Sequence, residues 1–204
     1  LEGAYGVPGA LGGEFQYGHL SLTLEYSKRW RSFGNTLVTA TGGWVLGQVP
    51  YSSLYVFQGN QSFATDPIGF GSSVLKSLVG GRNRTSLYDP VGFNLLYFYE
   101  FAADRYTTLG IEHHFDNWLF GRIPGLRWVA EKTGVRELAG FRLGWGRLRE
   151  ENVRFNSPDI QYPVTAAQQP TLQAPDRLPY MEASIGIENI LRFFRVDFIH
   201  RITY

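Results

Sequence analysis

The sequence predicts an all-β chain: an antiparallel transmembrane β-barrel of which about seven or eight strands are present. Three observations point there. Apolar and polar residues alternate with a period of two over most of the chain, aromatic residues make up 16% of it, and 24 of its 204 residues are Gly. Charged residues stand at 18%, below the roughly 25% of an average soluble domain. No stretch approaches the ~18 consecutive apolar residues of a membrane helix. A barrel strand needs apolar side chains only at every second position, because the other face never meets lipid.

The elements follow from phase. Phe15 and Tyr17 open a strand whose phase shifts at Gly18–His19, which predicts a turn or bulge. From His19 to Tyr26, Leu20, Leu22, Leu24 and Tyr26 alternate with His19, Ser21, Thr23 and Glu25. Asn35–Gly47 and Asn94–Phe101 are strand-like with less clean phasing. In Tyr106–Phe115, Leu109, Ile111 and Phe115 oppose Thr108, Gly110, Glu112 and His114. Leu126–Thr133 is the best helical stretch. In Glu137–Arg147, Ala139, Phe141, Leu143 and Trp145 oppose Leu138, Gly140, Arg142, Gly144 and Gly146. Tyr180–Glu188 and Phe194–Tyr204 repeat the alternation, the latter with Phe194, Val196, Phe198, His200, Ile202 and Tyr204 on one face. The long connections Asn60–Pro90 and Leu148–Pro179, the second rich in Pro, read as loops. Residues 1–204 form one barrel segment, with long loops at about 60–90 and 148–179.

Face chemistry separates two environments. Leu, Ile, Val and Phe form the lipid side, with Tyr and Trp near strand ends as in an aromatic girdle. The other face is expected to line the lumen with a paired polar network. Its members are Glu100, Asp104, Arg105, Glu112, His114 and Arg142, followed by Glu182, Glu188, Arg195, Asp197 and Arg201. Charges of both signs on one face pair across strands, which lowers the cost of enclosing them. The glycines of that face relieve crowding. The tight connection Asn189–Phe193 is placed on the periplasmic side and the loop Leu148–Pro179 outside. Phe194–Tyr204 then runs outward, and a closed barrel needs one more strand after it.

Chemical sites weigh less. Zero Cys excludes disulfides and thiolate metal clusters, and a formal net charge of +1 gives no bulk attraction to nucleic acid, although sixteen of nineteen basic residues are Arg. Glu112, His114 and Asp116 share a strand face while His113 points away, which suits a Glu–His pair better than three converging metal ligands. His19 and Ser21 are same-face neighbours, but Glu25 lies too far along to orient His19 as a hydrolase triad requires. The glycines of Leu143-Gly-Trp-Gly-Arg147 sit in a strand, not before a helix where phosphate binds. Arg142, Arg147, Arg149 and Arg154 offer a weaker reading as a basic mouth for anions. No catalytic, cofactor or metal residue is assigned.

Several runs carry a resemblance: Phe57-Gln-Gly-Asn-Gln-Ser-Phe63, Gly92 to Tyr106, Glu112-His-His-Phe115 with Ile123-Pro124, and Pro179 to Arg192 with Arg195-Val-Asp197. Over about 34–204 the chain resembles the C-terminal barrel of a Bacteroidota outer-membrane family that typically carries an N-terminal carboxypeptidase-regulatory-like β-sandwich. Gly186-Ile-Glu188 and Arg195-Val-Asp197 are similar, more distantly, to late strands of the BamA/TamA barrel superfamily. The resemblance implies the C-terminal half of a barrel of about sixteen strands, located in the bacterial outer membrane. Two departures stand out. The superfamily's Val-Arg-Gly-Phe/Tyr loop motif is not visible, leaving Asp104-Arg105 as the nearest inward ion pair, and Gly69–Arg84 looks like an insertion.

The expected function is therefore non-enzymatic: outer-membrane protein assembly, export, or membership of an envelope complex. The partners implied are outer-membrane lipid and lipopolysaccharide, with other outer-membrane proteins or complex subunits, and no nucleic acid. A solute channel or receptor-like barrel is the second reading, and an outer-membrane lipid hydrolase the third.

Overall fold

The computed structural model describes residues 1–6, 16–59, 92–96, 100–156, 173–191 and 194–204. Its strands are β1 (Glu2–Gly6), β2 (Tyr17–Trp30), β3 (Gly34–Leu46), β4 (Tyr55–Val56), β5 (Ala102–Ala103), β6 (Arg105–Phe115), β7 (Arg136–Arg147), β8 (Tyr180–Ile190) and β9 (Phe194–Arg201). The fold is antiparallel all-β. Seven strands form one sheet in the order β1-β2-β3-β6-β7-β8-β9, and β4 pairs with β5 in a separate two-stranded piece. Within the seven-stranded sheet the strands follow sequence order, with β4 and β5 set aside between β3 and β6. Among the described residues the sheet is open, with β1 and β9 at its two ends.

Two faces of opposite character result. Leu24, Tyr26, Ile185, Val196 and Phe198 are 60–70% exposed on one face, while Glu182 and Thr108 on the other are fully buried. This inverts the burial of a water-soluble sheet, where apolar side chains go inside. The polar face is covered near the ends of β3, β6 and β7 by the stretch from Tyr51 to Phe57 and by Phe93, Leu96 and Phe101. These residues build two clusters: Phe57, Phe93, Leu96, Phe101, Ala103, Tyr106 and Tyr180, and beside them Val45, Val49, Leu54 and Ala102. Gly144 and Gly146 make the first cluster possible. A Cβ at Gly144 would lie 2.8 Å from Phe93 Cζ and 3.0 Å from Phe57, and one at Gly146 would lie 2.8 Å from the Ala103 Cβ.

The connections divide by end. At one end lie the β2–β3 turn at 31–33, the short link from the end of β8 to the start of β9 and the β6–β7 connection at 116–135; at the other lie the β3–β6 and β7–β8 connections. The first turn requires Gly34, whose φ of +126° and contact with the His114 carbonyl leave no room for a side chain. The β6–β7 connection holds α1 (Leu126–Thr133), which ends in the left-handed Gly134.

Three expectations need correction. There is no phase break at Gly18–His19: β2 pairs continuously from Tyr17, because Tyr17 lies on the polar face and packs against the Val45 cluster. Asn94–Phe101 is not a strand in its described residues. Phe93, Leu96, Glu100 and Phe101 turn inward over the polar face as irregular chain, and an aromatic-rich segment used as a cover reads in sequence like a strand. The stretch expected to be loop from Leu148 begins with a second helix, α2 (Glu150–Asn156), and β1 was not anticipated. The whole expected Asn60–Pro90 loop, including the Gly69–Arg84 stretch, lies outside the described residues.

Candidate functional site

The polar face carries a chain of ion pairs toward the tight-turn end. His114, on β6, accepts or donates at both ring nitrogens: Nε2 is 2.8 Å from Glu112 and Nδ1 is 3.0 Å from Glu188 of β8. Glu112 also takes a forked contact from Arg195 of β9, at 3.1 and 3.3 Å. Arg195 donates on to Asp197 at 2.7 Å. Arg142, on β7, stands 3.7 Å from Glu112 and 3.5 Å from Glu182. Four carboxylates thus interleave with two guanidiniums and one imidazole across four strands. Alternation in each strand puts them on one face, and the register brings them level: Glu112 faces Gly140, and Arg142 faces both Gly110 and Glu182. Glycine at the first two of those crossings, Gly140 and Gly110, gives the long side chains space to reach a second strand.

Glu182 is the deepest member. It accepts from the Asn94 backbone N–H at 2.8 Å, the Asn94 amide at 3.0 Å, the Leu95 N–H at 3.1 Å and the Tyr180 hydroxyl at 3.2 Å. A buried carboxylate therefore fastens the covering segment to the sheet, and that segment supplies the donors a buried charge demands. Beside it, Arg201 donates to Glu100 at 2.5 and 3.3 Å and lies 4.9 Å from the Tyr180 ring.

A second cluster centres on Asp104, which is fully buried. Its Oδ2 accepts from the Arg149 backbone and Nε, and from the Asn152 amide, each at 2.9 Å. Arg149 continues to the carbonyls of Val45 and Gly47, while Asn152 accepts from the Val49 N–H. Together they tie α2 to the end of β3.

Of the residues expected on the polar network, Glu112, His114, Arg142, Glu182, Glu188, Arg195 and Asp197 come together, and Glu100 with Arg201 adjoins them. Asp104 stands apart with Arg149. Arg105 does not join: it is exposed, and alternation puts it on the apolar-face side of β6, across from Trp44 and Arg147. Asp104 therefore pairs with Arg149, 45 residues on, and not with its neighbour. Sequence reasoning missed Asn152 and Asn94 and read Arg149 only as part of a basic mouth; all three reach the polar face from outside the sheet, and the acidic start of α2, Glu150-Glu151, was the one legible sign of a helix there.

The alternative chemistries find little in the geometry. Among the described residues no three His, Asp or Glu side chains form a metal-holding group. The His19 ring approaches the Tyr106 hydroxyl at 3.4 Å, and Ser21 is buried across from Gly43. The arginines of the supposed basic mouth are dispersed: Arg142 and Arg149 are held by carboxylates in different clusters, and Arg154 pairs with Glu150 at 3.0 Å. No family model matches the chain, and neither a curated protein nor a solved structure matches it.

Proposed function

We propose that this chain is part of the wall of a transmembrane β-barrel in a bacterial outer membrane, non-enzymatic, and that it acts in outer-membrane protein assembly, export or an envelope complex. The observation that carries the membrane reading is the diagonal course of the apolar band across the register. The row Lys28–Thr36–His113–Ala139–Ile185–Phe198 begins polar on β2, β3 and β6 and becomes apolar on β7, β8 and β9. The row Leu20–Trp44–Arg105–Arg147 does the reverse.

The slope can be worked out. The run Leu20–Tyr26 on β2 is centred five residues from Lys28, and the run Phe194–Phe198 on β9 is centred two residues from Phe198, in the opposite direction along the sheet. A shift of about seven residues at ~3.3 Å over five strand spacings of ~4.8 Å gives a strand tilt of roughly 45°. Outer-membrane barrel strands tilt by about 35–45°. Trp44 and the Trp30–Gly34 pair are separated by ten residues along β3. At that tilt the separation is about 24 Å of height, close to the ~25 Å apolar band of such barrels. A flat slab of lipid crossing tilted strands accounts for both numbers; a soluble sheet has no reason to offset its apolar patch strand by strand.

The interior supports a scaffold more than an open channel. The polar face is filled by ion pairs and by the Phe57–Phe93–Phe101 cover, so the wall is braced from within. The assembly or export role rests on the superfamily resemblance, an analogy at the level of fold. Two experiments test the reading. The full-length protein should sediment with outer membranes, resist carbonate extraction, and require detergent for release; release without detergent overturns it. Planar-bilayer recordings of the same protein should show no steady conductance, and a stable open channel would favour the solute-channel reading instead.

A further inference from the structure

The β6–β7 connection is twenty residues long at the end where the neighbouring turns are tight, and its placement is specific. Glu137 lies on the apolar-face side of β7, in phase with Ala139 and Phe141, yet it is buried. Its carboxylate accepts the backbone N–H groups of Leu119 at 3.0 Å and Phe120 at 2.5 Å. The connection is thereby folded onto the apolar side of the sheet. Its other end is held by Asn189, which donates to the Gly134 carbonyl at 2.7 Å. Between these anchors, Trp118, Leu119, Ile123, Leu126, Trp128 and Val129 are all exposed.

Cations are set among them. Arg122 lies over the Trp118 ring at 4.3 Å and Lys132 over Trp128 at 4.4 Å, while Lys28 covers Trp30 at 3.9 Å in the adjoining strand. Residues 28–33 and 116–136 together carry seven basic side chains against two acidic ones, in a chain whose net charge is +1. Arg122 gives one guanidinium nitrogen to the Trp118 carbonyl at 2.9 Å and retains its other N–H donors for an anion, and indoles beside basic groups suit the headgroup layer.

We propose that the connection from Asn117 to Thr133 is a lipid-interface anchor in which Arg122 and Lys132 bind the phosphates of phospholipids in the leaflet at the tight-turn end. This rests on the membrane reading above. The occupant is a lipid surface because the exposed apolar residues lie on the side of the sheet that Glu137 faces, where Trp118 packs against Phe33 and against Phe115 of β6, and because the excess positive charge is complementary to an anionic headgroup layer. Leu126 and Val129 enter the acyl boundary while Trp128 sits at the level of the phosphates.

The test reconstitutes the full-length protein in vesicles of brominated phosphatidylcholine, with and without competing phosphatidylglycerol. The contributions of Trp128 and Trp44 are isolated as differences from Trp128→Phe and Trp44→Phe variants. The anchor requires Trp128 to be quenched most by bromines placed near the headgroup. Phosphatidylglycerol should relieve that quenching better than phosphatidylcholine, with the preference falling about fivefold for each of Arg122→Gln and Lys132→Gln. Quenching of Trp44 without Trp128 overturns the anchor and leaves the membrane wall standing. Unaltered lipid preference in both charge variants overturns the phosphate contacts. If neither indole is quenched, the membrane reading itself falls, and the anchor with it.

Discussion

Replacing Glu182 tests whether the covering segment is fastened by one buried carboxylate. The side chain is fully buried and is met by four hydrogen-bond donors, two from Asn94 and one each from Leu95 and Tyr180, with the Arg142 guanidinium at 3.5 Å. Charge-assisted bonds contribute about 1.5–3 kcal/mol each, but four bonds to one group do not add, because the donors are released together. Removing one partner of a buried pair costs about 3–5 kcal/mol, and Glu182→Ala is expected in that range. Glu182→Gln keeps one acceptor oxygen but turns an amide N–H toward donors, and about 1.5–3 kcal/mol is expected. The assay is chemical unfolding of the full-length protein in detergent, followed by Trp fluorescence, with limited proteolysis in the native state. Both variants should expose 92–101 to cleavage before the sheet unfolds. If Glu182→Ala stays within about 0.5 kcal/mol of the parent and 92–101 is no more readily cut, the carboxylate does not hold the cover.

Three other perturbations follow from the geometry. Gly144→Val places methyl groups into Phe93 and Phe57 and should destabilise by about 1–3 kcal/mol through overpacking, read as a lowered unfolding midpoint; Gly42→Ala, where a Cβ meets only atoms at 3.6 Å or beyond, should cost nothing. Ile185→Arg, at an exposed mid-band position, should weaken folding into lipid vesicles by about 2–4 kcal/mol; a neutral result would mean that this face meets water. Glu137→Gln should speed hydrogen exchange at the Leu119 and Phe120 amides while leaving β6 protected, and unchanged exchange there would remove Glu137 as the fastening point.

The legibility of the site in the sequence varied with how local its cause was. Glu112, His114, Arg195 and Asp197 were readable as one face because strand alternation is a property of neighbours in sequence. Their pairing depended on register, and here a period-two pattern fixes which face a residue takes but not which residue stands opposite. Asp104 shows the limit: adjacency suggested Arg105, whereas the peptide's alternation sends the two side chains to opposite sides and Arg149 arrives on the α2 connection. Asn94–Phe101 failed for a related reason. Its aromatic residues satisfy strand propensity, but they are used to fill the space that Gly144 and Gly146 leave vacant.

By itself, then, the sequence determined the antiparallel all-β class, the identity of most strands and the division into an apolar and a polar face, all of which follow from alternation and turn residues acting over a few positions. The tertiary structure alone decided that the apolar face stays exposed while the polar face is covered, which carboxylate meets which guanidinium, and that the apolar band crosses the sheet diagonally. These depend on register and on segments brought from more than forty residues away. The aromatic and glycine excess was visible from the start; its meaning lay in the contact between Phe57, Phe93 and two glycines of a single strand.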